Sequence, residues 1–231
     1  MSRKLAKENL LIPILISLLV LIPVLGYPTN NIKTTQKLIV LDPGHGGSDT
    51  GLLYSSKIEE KNLVLTLAKK TAKILEIRYN VIFTRNKDIT IPQEQRVFIG
   101  NKNKADLYIS LHLHKSDTVS GYFYYFNLPN HIGIPKKESS NTWQYTPMNQ
   151  LEPSRNLSKI FKSHFSKTSI DQIYMANGLP LLALEGITMP AIQIEPLPIS
   201  YFSKDPAQVE TMIEAIAIKI LNSIDLFFNK K

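Results

Sequence analysis

The chain has 231 residues, enough for one domain with its own core, and its make-up of 43% hydrophobic and 20% charged residues is that of a globular protein. It contains no cysteine, which excludes disulfides, thiolate zinc sites and a cysteine nucleophile, so any metal must be held by histidine and carboxylate. The net charge of +8 favours an anionic partner. No basic cluster alternates with aromatic residues, so nucleic acid is not an expected partner.

The N-terminus reads as an export signal. Arg3, Lys4 and Lys7 precede an apolar run from Leu10 to Leu25, broken only by Pro13, Ser17 and Pro23. As a helix this run would span roughly 24 Å, against a hydrocarbon core of about 30 Å. Val24-Leu25-Gly26 offers a cleavage site. Uncleaved, residues 10–25 become a membrane tether, and either way the basic flank leaves the rest of the chain outside the cytoplasm. The expected division is a signal peptide or anchor at 1–27, a polar linker at 28–36 and a catalytic domain at 37–231.

From residue 37 strand-like and helix-like segments alternate. Lys37–Leu41 reads as a buried strand, and Glu60–Ile77 carries apolar residues at helical spacing. Asn80–Thr84 reads as a strand and Pro92–Lys104 as a helix with proline in its first turn. Leu107–Leu111 and Gly121–Phe126 read as strands. Asn127–Pro153 reads as a long loop, or a loop with a short helix, and is a candidate for a gate over the site. Pro153–Phe165 reads as a helix, Leu181–Leu184 and Ala191–Glu195 as strands, and Pro206–Phe228 as a closing amphipathic helix. The alternation predicts an α/β domain with a mostly parallel central sheet flanked by helices.

The chemistry-bearing residues fall where such strands end. His45 lies in Asp42-Pro43-Gly44-His45-Gly46-Gly47 after the first strand, and His112 follows Leu107–Leu111 directly. Glu60 opens the first helix, with Glu59 competing for the same role. In α/β folds ligands gather at the carboxyl ends of strands. Two histidines and a carboxylate with a fourth position open make the ligand set of a catalytic zinc. Glu195 ends the apolar strand Ala191–Ile194, where a carboxylate is costly unless paired or close to a metal; that suits a general base. His114, two residues after His112, shares its face on an extended chain and is a candidate for substrate contact or support of the site. His131 and His164 read as ordinary loop and helix residues.

Taken together these motifs resemble the zinc-dependent N-acetylmuramoyl-L-alanine amidases of bacterial cell walls, the amidase type 3 family, over roughly residues 37–225. The resemblance implies Zn2+ held by His45, Glu60 (rather than Glu59) and His112, with Glu195 in Met189-Pro190-Ala191-Ile192-Gln193-Ile194-Glu195 as the catalytic glutamate. Arg96 sits where the family carries an arginine, and Asp42 is a candidate to fix a histidine tautomer. The implied reaction is hydrolysis of the peptidoglycan amide between N-acetylmuramic acid and L-alanine, in the periplasm or cell envelope. Regulation is expected, since uncontrolled wall cleavage would harm the host, and an activator protein is one candidate for it. The chain departs from the family twice: His114 stands where Asn or Asp is common, and Pro196-Leu197-Pro198 replaces a glycine-containing run. These departures keep two alternatives open, an inactive wall-binding protein on the same fold and a zinc peptidase cutting within the stem peptide.

Overall fold

A computed structural model describes residues 36–54, 58–129, 143–166, 172–203 and 205–229. The apolar N-terminal run, the linker and much of the expected gate lie outside the described residues. Among the described residues no helix is long and apolar enough to cross a membrane.

Among the described residues eight strands and four α-helices succeed one another: β1 Leu38–Pro43, β2 Leu53–Tyr54, β3 Ile58–Glu59, α1 Glu60–Leu75, β4 Asn80–Phe83, α2 Gln93–Lys102, β5 Leu107–Leu111, β6 Ser120–Phe126, α3 Leu151–Ser166, β7 Ile173–Leu179, β8 Ala191–Glu195 and α4 Pro206–Asn229. Six strands form one sheet in the order β4-β1-β5-β8-β6-β7, while β2 and β3 make a small separate hairpin. All neighbours in the large sheet run parallel except β6 and β8, which are antiparallel.

The central strands are near-continuous apolar runs because both of their faces are covered. Their side chains divide by a period of two. Ile39, Leu41, Ile109, Leu111, Ile192 and Ile194 enter one core with residues of α1, α3 and α4. Val40, Tyr108 and Ala191 enter a second core with Val97 of α2 and Leu184, Ile187 and Met189 of the chain before β8. On α1 the buried positions Val64, Leu67, Ala68, Thr71, Ala72 and Leu75 make one helical stripe. Each large aliphatic side chain so buried contributes about 1.5–3 kcal/mol.

One expectation is corrected. Leu181–Leu184 is not a strand: Leu182–Leu184 forms a 3-10 turn that drops Leu184 into the second core. The strand lies upstream at β7, a sheet edge whose exposed Ile173, Met175 and Leu179 and interrupting Gly178 give no buried-strand signature. Within the described end of the Asn127–Pro153 segment the short helix is a 3-10 stretch at Trp143–Gln150, running into α3 two residues before Pro153.

Candidate active site

The sheet brings the carboxyl ends of β1, β5 and β8 side by side, since Pro43 pairs with Leu111 and Leu111 with Ile194. Past Pro43 the chain turns sharply. His45 has φ 61, an unusual conformation for a residue with a side chain, and Gly46 and Gly47 follow at φ 123 and 61. Gly44 donates its N–H to Leu111 O at 3.0 Å, and Gly46 and Asp49 exchange backbone hydrogen bonds of 2.9 and 3.2 Å. The His45 ring is thereby aimed at the end of β5, where His112 follows.

Glu60 is the first residue of α1 and is 2% exposed. Its Oε2 accepts the Leu52 N–H and its Oε1 the Leu113 N–H, both at 2.9 Å. Burial pushes its pKa up, but His112, His45 and the Leu52 N–H outweigh that and hold the carboxyl far below the usual range. Glu59 turns away toward Lys61 and Asn62.

Three donors converge from these elements. His45 Nε2 and Glu60 Oε1 are 3.1 Å apart, His112 Nδ1 and His45 Nε2 3.1 Å, and His112 Nδ1 and Glu60 Oε1 3.2 Å. The two imidazole rings stand nearly perpendicular, 81° between planes with centroids 4.8 Å apart. His45, Glu60 and His112 form a group able to hold a metal ion. Tetrahedral zinc with bonds of about 2.0–2.1 Å implies donor separations of about 3.3–3.4 Å, close to those present. Two glycines make the space: a Cβ on Gly44 would meet the His112 ring at 2.2 Å, and one on Gly51 would meet His45 Cδ2 at 2.6 Å and Glu60 Oε2 at 2.8 Å.

The expected role of Asp42 is corrected. Its buried carboxylate accepts hydrogen bonds from Thr84 (2.5 Å), Arg96 (2.7 Å) and Ser110 (2.8 Å), which leaves it remote in function from either imidazole. Burial pushes its pKa up, yet Arg96 and these hydrogen bonds hold it below the ordinary carboxylate value. The ring partner is Asp49, whose Oδ2 lies 2.8 Å from His45 Nδ1. Its place four residues after the histidine in the same glycine-rich loop was the available signal. Burial lowers the His45 pKa, but Glu60 and Asp49 together raise it.

Arg96 braces the loop instead of contacting the metal group. It donates to Pro43 O at 2.8 Å and His45 O at 2.5 Å. Sequence reasoning missed its companion. Arg85, 2% exposed, donates to Pro43 O (2.9 Å), Gly44 O (2.6 Å) and Lys61 O (2.9 Å), tying the His45 loop to the start of the Glu60 helix. Its position after the strand-like Asn80–Thr84 gave no sign of this.

Glu195 ends β8 with its side chain 14% exposed. Burial raises its pKa; the Gln193 hydrogen bond (2.8 Å) and His112 oppose this, and Glu60 adds to it. His114 lies between Glu195 and Ser120, with Nδ1 3.8 Å from Glu195 Oε2 and Nε2 2.9 Å from Ser120 Oγ. Burial pushes its pKa down to about 4 against a smaller opposing pull from Glu60, so the ring is neutral at neutral pH. His164 contacts Ser223 at 2.9 Å, away from the site, and His131 lies outside the described residues.

A mostly parallel α/β sheet with a two-histidine, one-carboxylate group beside its strand ends defines a protein able to hold a metal near a partly buried glutamate. The family model described as N-acetylmuramoyl-L-alanine amidase matches residues 39–225, and the chain belongs to that family. It is 45% identical over 78 residues to the N-acetylmuramoyl-L-alanine amidase AmiC of Neisseria meningitidis, covering 33% of this chain and 19% of that protein. To the endolysin of Bacillus phage SPP1 it is 38% identical over 89 residues, 38% of this chain and 32% of that one. The chain thus spans about a fifth to a third of the length of these curated relatives. Among solved structures, the CwlD amidase of Clostridioides difficile in complex with the GerS lipoprotein superposes with a TM-score of 0.65 at 21% identity, over 85% of this chain and 100% of that one. The catalytic domain of CwlV, an N-acetylmuramoyl-L-alanine amidase from Paenibacillus polymyxa, superposes at 0.60 and 24% identity over 85% and 100%. These two share the fold.

Proposed function

We propose that the protein is a zinc-dependent hydrolase of peptidoglycan that cleaves the amide between N-acetylmuramic acid and L-alanine of the stem peptide. The observation that carries this reading is the convergence of His45 Nε2, Glu60 Oε1 and His112 Nδ1 within 3.2 Å of one another, beside the strand that ends in Glu195. Membership of the amidase family supports the substrate class.

The chemistry that zinc supplies when bound is Lewis acidity toward the amide carbonyl and toward water. Asp49 keeps the His45 hydrogen on Nδ1, leaving the Nε2 lone pair for the metal. Glu60 enters already ionised, held by two backbone N–H groups. Arg85 and Arg96 lock the carbonyls of the loop so that the His45 ring does not drift. Glu195 takes the proton of the attacking water and later delivers it to the leaving amine.

Residues 37–231 act as the catalytic domain, and residues 1–27 export it to the periplasm or cell envelope, with residues 10–25 as a tether if uncleaved. A structural neighbour was solved in complex with the GerS lipoprotein; for this chain we propose a regulating protein partner, an activator being the expected kind.

The test is a digest of purified peptidoglycan by residues 28–231 with and without zinc, with products identified by mass. Release of the whole stem peptide from the glycan is expected. Cuts within the stem peptide would mark a zinc peptidase, and zinc retention without product an inactive wall-binding protein. Glu195→Gln should keep zinc and lose about 10²–10⁴-fold in turnover, while His45→Ala should lose both.

A further inference from the structure

The two positions where the sequence departs from the family pattern lie against each other. His114 and Pro198 form a parallel bridge, and Ile199 donates its N–H to His114 O at 2.9 Å. The run after Glu195 therefore fixes the backbone of His114 beside the end of β8. The ring of His114 is packed edge-on to Tyr122, 79° between planes with centroids 4.6 Å apart. Its Nε2 meets Ser120 Oγ. Among the described residues its Nδ1 is buried without a hydrogen-bond partner, and it faces Glu195 Oε2 at 3.8 Å. The other carboxylate oxygen, Oε1, accepts from Gln193 Nε2 at 2.8 Å.

We propose that His114 is a positioning residue for Glu195: its Nδ1–H holds Oε2 as Gln193 holds Oε1, and Ser120 keeps the hydrogen on Nδ1 by donating to Nε2. The inference rests on the reading of Glu195 as the general base.

Ser120 has one hydrogen and two takers, Thr118 O at 3.2 Å and His114 Nε2 at 2.9 Å. The carboxylate decides between them. A ring lone pair aimed at an ionised oxygen is repelled and an N–H is attracted, so the hydrogen belongs on Nδ1 and Ser120 turns to Nε2. A carboxylate held at one oxygen turns about that contact; held at both, its plane is fixed for proton transfer. The 3.8 Å gap is longer than a hydrogen bond. Contacts of this kind are commonly long before substrate arrives and tighten in the complex. An Asn at this position would carry its amide at the branch point where histidine carries Nδ1, and so would offer a donor to the same oxygen.

The test compares His114→Phe, which keeps the ring and its packing on Tyr122, with His114→Asn, which keeps a donor at the Nδ1 position. Zinc-loaded His114→Phe is expected to lose about 10–100-fold in kcat with KM and zinc content unchanged, the cost of one charge-assisted hydrogen bond. His114→Asn is expected to stay within about 3-fold of wild type. Full kcat in the Phe variant, or an Asn variant as impaired as the Phe one, overturns the proposal. A second readout needs no turnover: 15N NMR of the imidazoles of zinc-loaded protein. The His114 hydrogen is expected on Nδ1 in wild type and on Nε2 in Glu195→Ala, where Ser120 is released to Thr118. A hydrogen on Nε2 in wild type overturns the assignment even if the proposed peptidoglycan activity fails. Loss of that activity with the hydrogen on Nδ1 indicts the function reading alone.

Discussion

The guanidinium of Arg96 joins the Asp42 carboxylate at 2.7 Å beneath the loop that presents His45, and both side chains are almost wholly buried. The pair stands at the junction of β1, β5 and α2 and fixes the carbonyls of Pro43 and His45 from below. Breaking one half of a buried pair strands the other. Arg96→Met is expected to destabilise the fold by about 3–5 kcal/mol, read by urea denaturation, and to weaken metal binding as the loop loosens.

The same pair sets an acid limit. The folded-state pKa of Asp42 lies below its unfolded value, so its contribution to stability is complete above the ordinary carboxylate pKa and is lost as pH falls through the depressed one. Stability curves of wild type and Asp42→Asn should converge on acidification below the ordinary carboxylate value. A constant gap down to the lowest pH would show that packing and not charge carries the effect.

Glu195 has the opposite sign. Burial raises its pKa, so in the metal-free protein the ionised form is disfavoured by folding: stability tied to the protonated form is present below the unfolded pKa and lost as pH rises through the folded one. Metal-free Glu195→Gln is therefore expected to be more stable than wild type at neutral pH, with the gain vanishing in acid. Thermal melts across pH decide the matter, and a glutamine variant less stable at pH 7 would refute it.

Two glycines hold the metal group open. In Gly44→Ala the new methyl collides with the His112 ring, and in Gly51→Ala, where φ is 64, with His45 and Glu60. Both variants should retain the sheet by circular dichroism and lose zinc by at least an order of magnitude in affinity, measured by competition with a chelator. Ser48→Ala, on the exposed side of the same loop, serves as the control.

Much of this was legible in the residues. The position of each motif at the end of an apolar run placed His45, His112 and Glu195 at strand ends. What escaped depends on the chain folding back on itself. The choice of Glu60 over Glu59 came from the resemblance alone; the 2.9 Å bonds from Leu52 and Leu113 supply its physical reason. Asp42 and Asp49 flank His45 almost symmetrically, and the sharp turn at Gly46 brings the later one to the ring. Arg85 acts on carbonyls distant in sequence and has no local signature. The edge strand β7 lacks the buried apolar run that marks the central strands.

The position of β8 sets the order in which the site is completed. It is the last strand of the chain, yet it lies between β5 and β6 in the interior of the sheet. The three potential metal donors come from the first half of the chain, whereas Glu195 enters only when the central slot is filled from the far end. Non-local pairings of this kind form slowly. On the proposed reading of Glu195 as the base, a chain folding from its N-terminal side would gather His45, Glu60 and His112 first, and turnover would await the filling of the central slot.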